Sequence, residues 1–201
     1  MTAPGVPVAV TYTNRKGVTY YLCAGKTKRG GIRYYFAAKP RGEPVREVPP
    51  GYAVIESVNG VVSLARPQPV TFRQNEIIAV ENALQRHPDS KNYRVVVKRS
   101  HIEVYDRIDR GSEEVVNDFV RMGILSKQKA TATVASQERD ARYAPVLRFT
   151  LFDLERRTFV VERMTYRGDG GWLPLGHPST LGRLANRVIP TLGTDAFFEL
   201  L

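Results

Sequence analysis

The first seventy residues show no helical period, and that absence constrains the fold more than any other feature of the chain. In its place come five runs rich in Val, Tyr, Ile and Phe: Val6–Thr13, Thr19–Ala24, Arg33–Ala38, Tyr52–Val58 and Val61–Ala65. β-branched and aromatic side chains suit a pleated, half-buried surface, so each run reads as a strand. Turn chemistry separates them at Asn14–Gly17, Gly25–Gly31, Pro40–Gly51 and Asn59-Gly60. Asn-Gly between apolar runs predicts a two-residue type I′ hairpin, because both central residues of that turn need positive φ. Residues 1–67 are expected to form a small antiparallel β module.

Arg66-Pro-Gln-Pro69 marks its end, since two prolines hold the backbone extended and delay any helix. Thr71-x-x-Gln74 then predicts a capping box and a helix to Arg86, with Ile77, Ile78, Val80 and Leu84 facing inward. Tyr93–Lys98 and His101–Arg107 read as two strands around a tight turn. A second helix is expected from a Ser112 N-cap, with Glu113 and Glu114 at the positive end of the dipole. It should stop at Gly123, with Ile124 packing on Phe119. Ser126–Arg142 carries Val134 as its one large aliphatic residue. Such a stretch buries too little apolar area to offset ordering its backbone, so a flexible segment near 126–142 is expected. Val146–Phe152 and Thr158–Tyr166 form a second hairpin, and Trp172-Leu173 a short further strand. Leu181, Leu184, Ala185, Val188 and Ile189 make a helical stripe that Pro190 ends. The expected architecture is α+β: the basic antiparallel module, then an α+β body over residues 70–201 with two hairpins and C-terminal helices.

Charge is distributed unevenly over this plan. Residues 1–70 hold +7 of the net charge of +10, and arginine outnumbers lysine 22 to 8. Guanidinium forks match phosphate bidentately, so the excess favours an anionic partner. The most suggestive segment is Gly25-Lys-Thr-Lys-Arg-Gly-Gly-Ile-Arg33, flanked by Tyr20, Tyr21, Tyr34, Tyr35 and Phe36. A cationic loop beside aromatic faces can track a phosphate backbone and stack bases. Alternation sets Tyr20 and Leu22 on one face and Tyr21 and Cys23 on the other, so at most half of the rings can face a ligand. The bland alternative is a solvated hairpin tip. The function expected is non-catalytic nucleic-acid binding, to DNA or RNA, through Lys26, Lys28, Arg29, Arg33 and Tyr35, supported by Arg15, Lys16, Lys39 and Arg41. The loop lacks the order of a P-loop, and no helix follows to offer its N-terminus.

Other chemistry is sparser. With Cys23 alone there is neither an internal disulfide nor a cysteine zinc site, and a cytoplasmic location is expected. No apolar run approaches the ~18 residues of a membrane span, so no membrane partner is expected. His87, His101 and His177 lie far apart, and neither metal nor cofactor is anticipated. His101 and Glu103 share a strand face as a conceivable base and orienter. Asp153 and Glu162, on opposite arms of one hairpin, give an alternative reading as a metal-dependent nuclease, without the usual lysine nearby. Tyr166–Trp172 reads as an ordinary glycine-rich hairpin end. Phe197, Phe198, Leu200 and Leu201 would be costly exposed, so they should dock on the body, another copy or a protein partner. An accessory subunit docking through that tail or a β edge is the other alternative. The order of motifs matches neither RNA-recognition modules nor zinc fingers, and no family is assigned.

Overall fold

The computed structural model describes residues 9–109, 112–165 and 171–200. Six short strands come first: β1 (Thr11–Thr13), β2 (Thr19–Lys26), β3 (Ile32–Ala37), β4 (Glu43–Pro44), β5 (Ala53–Glu56) and β6 (Val62–Ala65). Helix α1 (Gln74–Gln85) leads to β7 (Tyr93–Val97) and β8 (His101–Arg107), followed by α2 (Ser112–Arg121) and α3 (Lys127–Asp140). The chain ends with β9 (Tyr143–Asp153), β10 (Thr158–Met164), β11 (Trp172–Pro174), α4 (Leu181–Val188) and the single turn α5 (Ala196–Glu199). The fold is α+β with antiparallel sheets. The start of the expected first strand at Val6–Val8, most of the glycine-rich turn (Tyr166–Gly170) and Leu201 lie outside the described residues. So do the side chains of the expected cap Ser112 and of Glu113 and Glu114.

The chain divides into two compact units, Met1–Pro67 with Glu113–Ala141, and Gln68–Ser112 with Arg142–Leu201. A boundary therefore falls at the proline-marked segment, yet α2 and α3 group with the β-rich unit and not with the body that flanks them in sequence. In the first unit β2 is central. β3 pairs along one side of it, while β1 and then β4 share the other. Leu22 and Cys23, which point to opposite faces of β2, are both fully buried, so both faces of this small sheet are covered.

The β5–β6 connection corrects the expected type I′ turn. Ser57 N donates to Val61 O at 2.9 Å, and Gly60 N donates to Ser57 O at 2.8 Å. Gly60 alone takes positive φ, at 78°, so a turn over 57–60 ends in a left-handed glycine. Adding a residue to the loop satisfies the same hairpin with Asn59 on the ordinary side of φ.

The expected flexible stretch is likewise corrected, because residues 127–140 are helical. Ser126 caps the helix, its hydroxyl accepting from Lys129 N at 3.4 Å. Ala, Lys, Gln, Glu and Arg are strong helix formers, and that propensity outweighs the scarcity of apolar side chains. Ala130 is the buried contact. The Arg15 guanidinium closes the other end, donating to Ala141 O at 2.6 Å and Arg139 O at 3.3 Å.

The second unit is a five-stranded sheet in the order β11-β10-β9-β8-β7, with α1 and α4 against one face. Ile102, Val104, Leu147, Phe149, Phe159 and Val161 point into that core and meet Val80, Leu84, Leu181, Leu184, Ala185 and Val188. The stripe expected on α4 is buried throughout. On α1, Ile78 is 41% exposed, contrary to expectation. At 3.6 residues per turn it lies about 100° past Ile77, beyond the stripe that Ile77, Val80 and Leu84 define. The start of α1 differs too: Arg73 is the N-cap, and Glu76 reaches back to accept from Arg73 N at 2.8 Å. The Thr71 hydroxyl instead donates to Arg99 O, and Arg157 supports Glu76 from the β9–β10 turn. The second helix stops at Gly123 as expected, while Ile124, expected to pack on Phe119, is 68% exposed. Gly123 has φ 70°, its N–H meets Val120 O at 3.1 Å, and Ile124 N meets Phe119 O at 2.9 Å, the two bonds of a Schellman stop. No helix among the described residues is long and apolar enough to cross a membrane.

Candidate nucleic-acid interface

The β2–β3 ladder fixes where each expected cation stands. Lys26 pairs with Ile32, Gly25 with Arg33, Ala24 with Tyr34, and Cys23 with Tyr35. Paired residues share a face, so Arg33 and Tyr35 lie on one side of the hairpin while Lys26, Ile32 and Tyr34 lie on the other. At the tip, Gly30 N donates to Thr27 O at 2.9 Å, and the Thr27 hydroxyl accepts from Gly31 N at 3.0 Å. Lys28 and Arg29 occupy the two central positions of that turn and are exposed. β4 flanks β2 only at Cys23 and Ala24, so the segment beyond is a bare two-stranded ribbon.

A second cationic segment folds back onto the base of this ribbon. The Tyr35 hydroxyl donates to the carbonyl of Arg41. Gly42 has φ 124°, and a Cβ there would stand 2.6 Å from Ala24 O and 2.7 Å from the Tyr35 hydroxyl. Only glycine permits this approach, and it ties the loop carrying Lys39 and Arg41 to the hairpin. Lys39 and Arg41 are exposed, as are Lys26, Lys28, Arg29 and Arg33. Sequence spacing shows Arg33 and Tyr35 on one face of a strand, but nothing local announces that residues 39–42 return to them.

Tyr35 is half-buried and already engaged. Its ring edge lies 3.3 Å from where a Gly25 Cβ would be, and the Arg33 guanidinium stands over the ring at 5.9 Å. Tyr35 thus holds the Arg41 loop and carries Arg33, which leaves it ill placed to stack a base. Arg15 and Lys16 do not join this surface. They sit in the β1–β2 turn at the opposite end of β2, about 23 Å away at ~3.3 Å per residue. Arg15 is spent on the α3 terminus, and the Lys16 stem runs along Gly60. Nearby, Tyr12 donates to Glu56 at 3.0 Å, and that bond to a carboxylate, with burial, pushes the phenol above its ordinary value.

The polar cluster around Glu103 is the other concentration of chemistry. Its carboxylate is nearly inaccessible, its side chain 3% exposed. Oε2 accepts from Lys98 Nζ at 2.7 Å and the Tyr105 hydroxyl at 2.8 Å, and Oε1 from Arg148 Nη2 at 3.0 Å. His101 Nε2 is 3.2 Å from Oε1, and its Nδ1 meets the Ser100 hydroxyl at 3.1 Å. Trp172 lies under the Arg148 guanidinium at 4.0 Å. Burial pushes Glu103 up, but the bonds from Lys98, Tyr105 and Arg148 outweigh it and hold the carboxyl below its usual range. Burial, aided by Arg148 and Lys98, lowers His101 despite the carboxylate beside it. A carboxylate with its lone pairs committed to these donors is a poor orienter for a base. The cluster ties β7, β8, β9 and β11 together.

The nuclease pairing fails on register. Asp153 pairs with Thr158 and Glu162 with Arg148, four residues further along β10, so the two backbone positions stand about 13 Å apart along the sheet at ~3.3 Å per residue. Among the described residues no three His, Cys, Asp or Glu side chains gather as a metal site would require. In the tail, Phe197 and Leu200 pack onto the core of the second unit, and Arg163 donates to Phe197 O at 3.0 Å. Phe198 remains 68% exposed, with Arg163 over its ring at 5.8 Å. The chain matches no known family model, no curated protein and no solved structure.

Proposed function

We propose that this protein binds nucleic acid without catalysis, through the β2–β3 ribbon and the loop folded against it. The observation that carries the reading is the convergence of two cationic segments: Lys26, Lys28, Arg29 and Arg33 on the ribbon, and Lys39 and Arg41 on a loop fastened by Tyr35 and Gly42. Among the described residues, no carboxylate forms an ion pair with any of the six. Glu43, the acidic neighbour, pairs with Ala24 and so belongs to the face opposite Arg33. Exposed cations set along a short two-stranded ribbon suit a phosphate backbone, since each phosphate they neutralise releases condensed counterions. Arg15 and Lys16 are left out of this surface.

The test is a salt titration of binding, read by fluorescence anisotropy, for the parent and for K26Q/K28Q/R29Q/R33Q. These side chains are exposed, so the variant should keep the parent melting temperature. Its affinity should fall, and the log–log salt slope should flatten by about one unit for each phosphate that is no longer neutralised. A quadruple variant that binds as tightly as the parent at every salt concentration would overturn the proposal.

A further inference from the structure

Resting on that reading, we infer that the ribbon takes the sugar-phosphate backbones on both sides of a B-form DNA major groove, in preference to a single strand. Two observations carry this, one about rings and one about distance.

Single-strand binding relies on aromatic faces open to bases, and the rings beside the cations are half-buried and in contact with their own neighbours. Tyr35 lies between Gly25 and Arg33. Tyr34 meets Tyr52 edge-on at 6.4 Å, and Arg66 covers the Tyr52 ring at 5.1 Å. Phe36 is half-buried opposite Leu22, while Tyr20 and Tyr21 lie toward the far end of β2 alongside β1. The surface offers phosphates many partners and bases few.

The cations, in turn, run the length of the ribbon, with Lys26 and Arg33 standing between its two ends. Lys28 and Arg29 stand at the tip, and Arg41 stands at the base, where Gly42 abuts Ala24. Four residues of ribbon separate tip from base, about 10–13 Å at the rise of a strand. The B-DNA major groove is ~12 Å wide and admits a two-stranded ribbon. A ribbon laid across it sets tip and base against opposite phosphate rows, whereas a single strand presents one row. The A-form major groove of duplex RNA is too narrow and deep for the same entry.

The experiment compares the full chain on three labelled probes: a mixed-sequence DNA duplex of roughly two helical turns, its top strand alone, and the matching RNA duplex. The duplex DNA should bind about tenfold tighter than either at low salt, because it engages cations at both tip and base. On duplex DNA, R41Q should flatten the salt slope by about one unit and K28Q/R29Q by about two. Equal or tighter binding of the single strand overturns this inference while leaving the proposed function standing. RNA duplex binding equal to DNA overturns it in the same way. Failure to bind any of the three probes removes the proposed function itself.

Discussion

Replacing Glu103 with glutamine tests whether the buried carboxylate holds the five-stranded sheet together. The parent side chain accepts from Lys98, Tyr105 and Arg148 at 2.7, 2.8 and 3.0 Å. Removing one partner of a hydrogen bond to a charged group costs about 1.5–3 kcal/mol. Gln keeps one acceptor oxygen and turns an amide N–H₂ toward a cation, so one or two of the three bonds survive. Breaking a fully buried ion pair costs about 3–5 kcal/mol, but the Lys98 and Arg148 side chains are 43% and 27% exposed and regain water. The expected loss is therefore about 2–3 kcal/mol at neutral pH, a large share of the about 5–15 kcal/mol that stabilises a domain. The pH dependence gives an independent check. Because the folded carboxyl is held below its ordinary value, its contribution is complete above the unfolded value of about 4.3 and is lost as pH falls through the folded value. Urea unfolding of parent and E103Q between neutral pH and acid measures both effects. The variant curve should be lower at neutral pH and flatter in acid, retaining the slope from Glu76 and Asp109, whose carboxyls are also held low. A variant within about 0.5 kcal/mol of the parent at neutral pH, the size of an ordinary surface change, with an unchanged acid slope would refute the argument.

Arg157→Ala should cost about 2–3 kcal/mol in thermal or urea unfolding, because the Arg157–Glu76 pair is only 13% and 11% exposed and supports the first turn of α1. Faster amide exchange at that end of α1 should accompany the loss. Gly42→Ala places a methyl against Ala24 O and the Tyr35 hydroxyl at φ 124°. It should cost about 1–3 kcal/mol of strain and weaken DNA binding even though no cation is removed. Wild-type affinity in a folded G42A would show that the loop need not be fastened. His87→Ala removes a ring whose Nε2 lies 3.1 Å from Leu192 O and whose Nδ1 accepts from Asp89 N at 3.1 Å. A drop of about 1–3 kcal/mol in urea unfolding is expected, since the buried Leu192 carbonyl loses its partner.

Where local chemistry decides structure, the sequence is a sufficient guide. The α4 stripe, the Gly123 stop and the β2–β3 hairpin depend on neighbours within a few residues, and each forms where periodicity and turn residues place it. Two of the misplacements also involve distant partners. Apolar content alone argues against order over residues 127–140, but their helix is closed by Arg15, more than a hundred positions away. Thr71 and Gln74 resemble a cap, yet a distant Arg157 favours Glu76 in that role. Long-range partners of this kind leave no periodic trace.

The candidate surface shows the same division. That a basic segment exists is a matter of counting, and that Arg33 and Tyr35 share a face follows from strand alternation. What composition misassigns is the work of each group. Tyr35 has the residue type of a stacking platform, but its hydroxyl is committed to the Arg41 carbonyl and its ring to Gly25 and Arg33. Arg15 has the charge of a phosphate contact, but its fork is committed to helix carbonyls. With the Tyr35 hydroxyl and the Arg15 fork already engaged, the proposed reading shifts toward a different kind of partner. An aromatic, cationic patch would favour flexible single strands. On the reading proposed above, a hydrogen-bonded ribbon with cations from tip to base, and rings turned to structural use, favours a partner whose phosphates are themselves held at fixed separation. Stiffness on one side of an interface is rewarded only by stiffness on the other, because a preorganised array saves ordering entropy when the ligand already matches its spacing.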